Sequence, residues 1–343
     1  MQSPAILSAL TVLASVASVR ADLNKLAIFS GPVSLSVDAL GSAESPAGQI
    51  KATIPDGSTV LAAYLYSAGT PYPLFSDSPQ TLSDYNAAKI TFNGTPITFT
   101  GLVGAVSDRP QVGQWFTARA DVTSLISGAL TAGQSDYSFD VSEGSLNNRI
   151  DGEVLAVVYS HPSLAQGSVV LLDGGQRTGG ETKNISLGTP LGDPNAPGFV
   201  ADMSLAISGS TGDSQQHSLV DVNGLRLTSS AGGYDDGVLL DGGLITAGGV
   251  GDSNANPGSP SSTSEPDDEL YSLKDFVHSG DTSLQIFTQN DSNDDNIFFL
   301  GLHLTAPVRE VFDVSTAPDA GSTLPLLGIG VAGLTMFARR RVD

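Results

Sequence analysis

Thirteen acidic side chains stand between Thr228 and Val308 against one lysine, Lys274. Calcium is held by clustered carboxylate and carbonyl oxygens, and Asp291, Asn293 and Asp295 repeat the one-three-five spacing of a calcium loop. Asn296 stands where such a loop needs glycine and Leu302 where it needs a bidentate glutamate, so the stretch is not an EF-hand. The plainer reading of Asp291 to Asp295 is a solvated hairpin tip. For Asp267, Asp268 and Glu269 it is the acidic first turn of a helix capped by Ser264, with Leu270, Leu273, Phe276 and Val277 turned inward.

Other chemistry is thin. Trp115, the single tryptophan, precedes Phe116 and offers a stacking platform for a sugar, or else a core or rim aromatic. His161, His217, His278 and His303 lie in no zinc spacing, and His303 falls on the polar phase of its strand, where solvent exposure is expected. There is no Gly-x-Ser-x-Gly elbow and no phosphate loop. Any two carboxylates that a fold brings together could hydrolyse a glycoside, and the sequence does not rank such pairs. Gly328, Gly330 and Gly333 match a dinucleotide fingerprint in letters alone, because no strand precedes them.

The elements that would position these groups read as strands. Val33, Leu35 and Val37 alternate with polar residues, as do Ile50, Ala52 and Ile54, and Tyr137, Phe139 and Val141. Val60 to Tyr66 and Glu153 to Tyr159 are apolar on both faces and read as central strands. Asn93-Gly94 between Phe92 and Ile97 signals a two-residue hairpin, and Asn223-Gly224 a hairpin or a bulge. Asp121 is placed to cap a short helix through Ile126. Met203, Leu205 and Ile207 mark one more strand, and Ile297 to Leu304 the last, with Phe298, Leu300, Leu302 and Leu304 on one face. Gly248 to Ser264 is too polar to pack and reads as a long mobile loop. The expected class is mainly β, an antiparallel β-sandwich of jelly-roll-like form, as one large or two tandem units over residues 22–306.

Both ends carry a different signal. Residues 1–21 hold an apolar segment and small residues before Asp22, the pattern of a cleaved signal peptide. At the other end, Ala320 to Ala338 contains nineteen uncharged residues followed by Arg339, Arg340 and Arg341. As a helix it would rise roughly 28 Å, close to the ~30 Å hydrocarbon core of a bilayer. The arginines would then sit on the cytoplasmic side, with the bulk of the chain opposite. Residues 322–338 are therefore expected as a single C-terminal transmembrane helix, and residues 307–317 as a stalk.

Residues 318–343 resemble the C-terminal sorting signals of exosortase systems in Gram-negative bacteria, the PEP-CTERM group. Such tails join a short Pro-acidic motif, an apolar helix rich in Leu and Gly, and a terminal Arg cluster. Pro318, Asp319, Ala320, Gly321 and Ser322 are similar to the variant with Val-Pro-Asp-Ser-Gly, from which Ala317 and Ala320 depart, and Arg339, Arg340 and Arg341 supply the cluster. The resemblance implies an exosortase-like membrane protease as partner, removal of the helix, and display on the surface or in the matrix. A looser similarity to ectodomains on such tails rests on Tyr64 and Tyr66, Phe92 to Gly94, Asp121 to Thr123 and Val154 to Tyr159. It implies a surface sandwich without an attached activity.

Composition bounds the rest. The net charge of −21 repels phosphate backbones and excludes nucleic acid as a partner. With no cysteine there are no disulfides, so stability must come from a core, with bound calcium as the one cofactor the acids suggest. The leading expectation is a non-enzymatic structural or interaction protein of the cell surface. The competing one is a secreted carbohydrate-binding or carbohydrate-active domain, calcium-assisted, with Trp115 or Asp291 near its cleft and extracellular polysaccharide as ligand.

Overall fold

Two kinds of strand follow one another along the chain, and the fold sorts them into layers. The computed structural model describes residues 22–42, 45–69, 83, 86–87, 89–106, 114–144, 150–177, 179–210, 218–232, 244–265, 267–290 and 295–314, with backbone alone for 101–106 and 114–115. The protein is mainly β, and among the described residues every strand pairing is antiparallel.

Four sheets result. Sheet I runs β3 (Ala47–Thr53), β9 (Asp136–Ser142), β5 (Thr91–Phe92), β6 (Thr95–Pro96). Sheet II runs β2 (Val33–Gly41), β10 (Gly152–Ser160), β4 (Thr59–Gly69), β8 (Gln114–Asp121), β7 (Gly101–Val106). Sheet III runs β1 (Leu23–Gly31), β11 (Gly167–Gly174), β19 (Asn296–Leu304), β13 (Ala201–Ser210), β16 (Leu244–Ala247), with β17 (Leu270–Ser272) also on β13. Sheet IV runs β15 (Leu225–Ala231), β14 (Ser218–Val222), β18 (Ser283–Gln289), β12 (Glu181–Leu187), β20 (Val308–Asp313).

Three apolar cores separate the four sheets. Ile50, Phe92, Phe139 and Leu155 fill the space between I and II. Tyr66, Val158, Leu171 and Phe299 fill that between II and III, and Leu172, Ile185, Leu205 and Ile286 that between III and IV. The outer sheets bury one face only, so β9 buries Tyr137, Phe139 and Val141 and exposes Asp136, Ser138 and Asp140. The inner sheets are covered on both faces, which is why β10 and β11 are buried at almost every position and carry the unbroken apolar runs Val154 to Tyr159 and Val169 to Leu172. Sheets I and II come from the first half of the chain and III and IV from the second, except β1. That strand pairs with β11 across the middle and ties the halves together.

Local chemistry explains most element ends. Asn93 and Gly94 have φ of 48° and 73° and join β5 to β6 in a two-residue hairpin. Asn223 and Gly224, at 50° and 79°, do the same for β14 and β15. A β-carbon on Gly224 would meet open space, so Gly224→Ala isolates the backbone cost. Equilibrium denaturation should show a loss of about 1–2 kcal/mol; unchanged stability would contradict the turn. The Asp121 carboxylate accepts from Thr123 N at 2.8 Å. Helix α1 (Thr123–Ala129) nevertheless has Val122 and not Asp121 at its N-cap position, without a side-chain capping bond, and it runs one turn further than expected and buries Ile126.

Several expectations are corrected. In β19 the pairing steps from Phe299 opposite Ala206 to Ile297 opposite Ile207. This bulge turns Phe298 into the II/III core beside Phe299, away from Leu300, Leu302 and Leu304. The stretch expected as a stalk supplies β20, because Val308 and Val311 bury against sheet IV and the backbone pairs with β12. No helix forms at Asp267 to Glu269: Asp267 and Glu269 are buried, and Glu269 has a φ of 53°. Gly248 to Ser264 lacks strands yet is held, since Val250 N donates to the Val37 carbonyl at 2.8 Å and Asn256 Nδ2 to the Ser272 carbonyl at 2.7 Å.

Candidate functional site

Between β2 of sheet II and the strands β13 and β19 of sheet III lies a cleft of about 400 Å³. Strand alternation builds its floor. Met203 and Leu302 face the III/IV core, so their neighbours Asp202 and His303 point the other way, toward sheet II. The two are cross-strand partners. Ser204 shares their face and donates to the Gly248 carbonyl. Ser34, Ser36 and Tyr159 border the cleft from the other side, and Gly248 to Gly251 form its rim. The rim needs glycine: a β-carbon on Gly248 would collide with the backbone of Glu269, and one on Gly249 with the Val37 carbonyl.

The polar groups on the floor are poorly paired. Among the described residues the hydrogen bond to the Asp202 carboxylate comes from Asn254 Nδ2 at a long 3.4 Å. Burial pushes the Asp202 carboxyl up, against the weaker pull of Asn254 and His303. Burial also pushes the His303 imidazole down, although one ring N–H donates to the Val33 carbonyl. His303 is half-buried, in contrast to the exposure expected for it. Asp202 is the one ionisable residue of β13 and His303 the one ionisable residue of β19, and that is the sequence signal that marks them.

A second constellation joins the two ends of the described body. Asp22, Glu181 and Asp313 bring carboxylate oxygens close enough to share a metal ion. Lys183 Nζ already occupies the middle, 2.7 Å from Glu181 Oε2 and paired with Asp313, and Arg177 pairs with Asp22. The ammonium supplies the charge a metal would bring, so the group is an ionic knot.

Buried carboxyls recur elsewhere. Glu143 and Glu153 lie beside each other at one end of the I/II core, and burial lifts both, Glu143 to about 7. Asp38 and Asp267 are each lifted to about 6, again chiefly by burial. Thr228 Oγ1 donates to Asp267, and Gly232 N donates to Glu269 at 2.6 Å. These bonds turn the acids inward where a helix cap would have faced solvent.

The residues singled out from sequence do not converge. Of the calcium spacing, Asp291 and Asn293 lie outside the described residues, while Asp295 is buried with Ser218 Oγ 3.3 Å from each carboxylate oxygen. It is no solvated hairpin tip. Trp115 lies in β8 with its backbone opposite Ala105, and its side chain is outside the described set. Pro318, Asp319, Ala320, Gly321, Ser322 and Arg339 to Arg341 are outside it as well, as are residues 1–21. Among the described residues no helix is long and apolar enough to cross a membrane. The paired tyrosines have a structural use. Tyr66 packs 5.4 Å from Phe299 and donates to Asp173 at 3.2 Å, and Tyr64 lies under the Arg119 guanidinium at 5.8 Å. Compared with known proteins, the chain matches no family model, no curated protein and no solved structure.

Proposed function

We propose that the protein is an exported surface or matrix protein with a structural or interaction role, sorted by an exosortase-type signal at residues 318–343. The observation that carries this reading is the tail itself: a Pro-Asp motif, nineteen uncharged residues and three arginines in that order. The ionic knot supports it. Asp22 and Asp313 both meet Lys183, so the described body starts and stops at one place. A leader and a tail would join it on the same side, which suits a body tethered at a single point. The finer fold description, a sandwich ectodomain followed by one transmembrane helix, belongs to the same proposal. So do the partners, an exosortase-like protease and the membrane, and the exclusion of nucleic acid.

The test is fractionation of cells that express the chain with and without Leu324 to Arg341. The intact chain should partition with membranes or the cell surface, and the shortened one should appear in the medium. Equal membrane retention of both would overturn the proposal.

A further inference from the structure

We infer that the cleft between β2 and the β13–β19 pair binds a neutral saccharide unit, with Asp202 and His303 as its hydrogen-bonding floor. The fold alone gives no reason for these two side chains. Asp202 and His303 are each half-buried, and polar groups largely withdrawn from water normally carry close partners. Here they stand opposite each other across two paired strands, and among the described residues they form no ion pair with each other. Asp202 has one long contact, and one His303 ring nitrogen is used on Val33. What remains toward the cleft is a carboxylate acceptor, a second ring nitrogen and neighbouring hydroxyl groups.

The lining selects the ligand by exclusion. Among the described residues no lysine or arginine lines the cleft, Lys274 acts on Asp202 only from outside the lining, and one carboxylate does line it, so an anion is disfavoured. A calcium ion needs six to eight oxygens, and a single carboxylate is a poor start. An apolar ligand would strand Asp202 and His303 without partners. A neutral polyhydroxylated ring gives hydroxyl donors to Asp202, accepts from serine or tyrosine hydroxyls, and lays its carbon face on Leu35 and Leu270, which also line the space. The volume lies within the usual range for small-ligand sites. The paired glycines keep the rim open by letting backbone pack where side chains would intrude. The inference rests on this cleft and not on the sorting signal, so it stands or falls separately from the proposed route to the surface.

The test uses the full chain purified in a zwitterionic detergent, since sugar-headed detergents would compete. It is applied to an array of neutral and uronate-bearing oligosaccharides, followed by calorimetric titration of the best neutral one. Binding to neutral glycans is expected, weakened about tenfold or more by Asp202→Asn and likewise by His303→Gln, with the thermal melts of both variants unchanged. The second variant keeps the test decisive if the first fails to fold. Binding confined to uronates, binding untouched by either folded variant, or no glycan bound at all would each overturn the assignment.

Discussion

Replacing Lys183 by methionine should destabilise the fold by about 3–5 kcal/mol. The lysine is 4% exposed and the Glu181 side chain 2%, so the pair is cut off from water. Burial already pushes the Glu181 carboxyl up, and Lys183 is the largest influence holding it down. Without the ammonium, a buried carboxylate would keep only the backbone donors of Leu23 and Arg177. The damage should be concentrated where β1 begins and β20 ends, because Asp22 and Asp313 lose the same partner. Removing both charges with Lys183→Met and Glu181→Leu should recover most of the loss, since a buried pair replaced by apolar groups of similar size is often neutral. Chemical denaturation of the two variants measures this. A single variant within 1 kcal/mol of the parent would show that the knot is solvated and of little consequence.

Stability should fall as the pH rises from about 5 to about 8, by a few kcal/mol. Glu143, Asp38 and Asp267 have folded-state values near 7, 6 and 6, all raised by burial above the ordinary carboxylate range. A raised value means that the native state holds protons which the unfolded chain has released. The contribution is therefore complete below the ordinary range and is lost as pH climbs through these folded values. Mutual repulsion within a chain of net charge −21 acts in the same direction. Glu143→Gln separates the two causes: it should flatten the upper part of the profile, between pH 6 and 8, where a surface-charge effect alone would leave the slope intact. Denaturation midpoints across that range would contradict the account if stability rose with pH.

Much of the layering was legible because burial leaves different marks on inner and outer strands. The alternation at Tyr137, Phe139 and Val141 marks a half-covered strand, and the unbroken run Val154 to Tyr159 one covered on both sides. The stacking of four sheets was not legible, since a strand apolar on both faces does not say which sheets cover it. The bulge at Phe298 also escaped, because period-two reading assumes an unbroken ladder and one extra residue flips every side chain beyond it. Short polar stretches misled for a related reason. Val308 and Val311 are three apart, which reads as no strand until the partner β12 shifts register at Ser186. Glu269 looked like an acid in the first turn of a helix because the groups that donate to its carboxylate, Gly232 N and the Thr246 hydroxyl, come from distant chain. Asp202 and His303 were hidden by the same distance along the chain, although each is the one ionisable residue of its strand.

Intact mass spectrometry of the protein recovered from the cell surface tests the central claim most directly, because export and tail processing each remove a defined piece of chain. The account predicts a mature species that begins at Asp22 and lacks Leu324 to Arg341. A surface or cytoplasmic species with the mass of all 343 residues would contradict it.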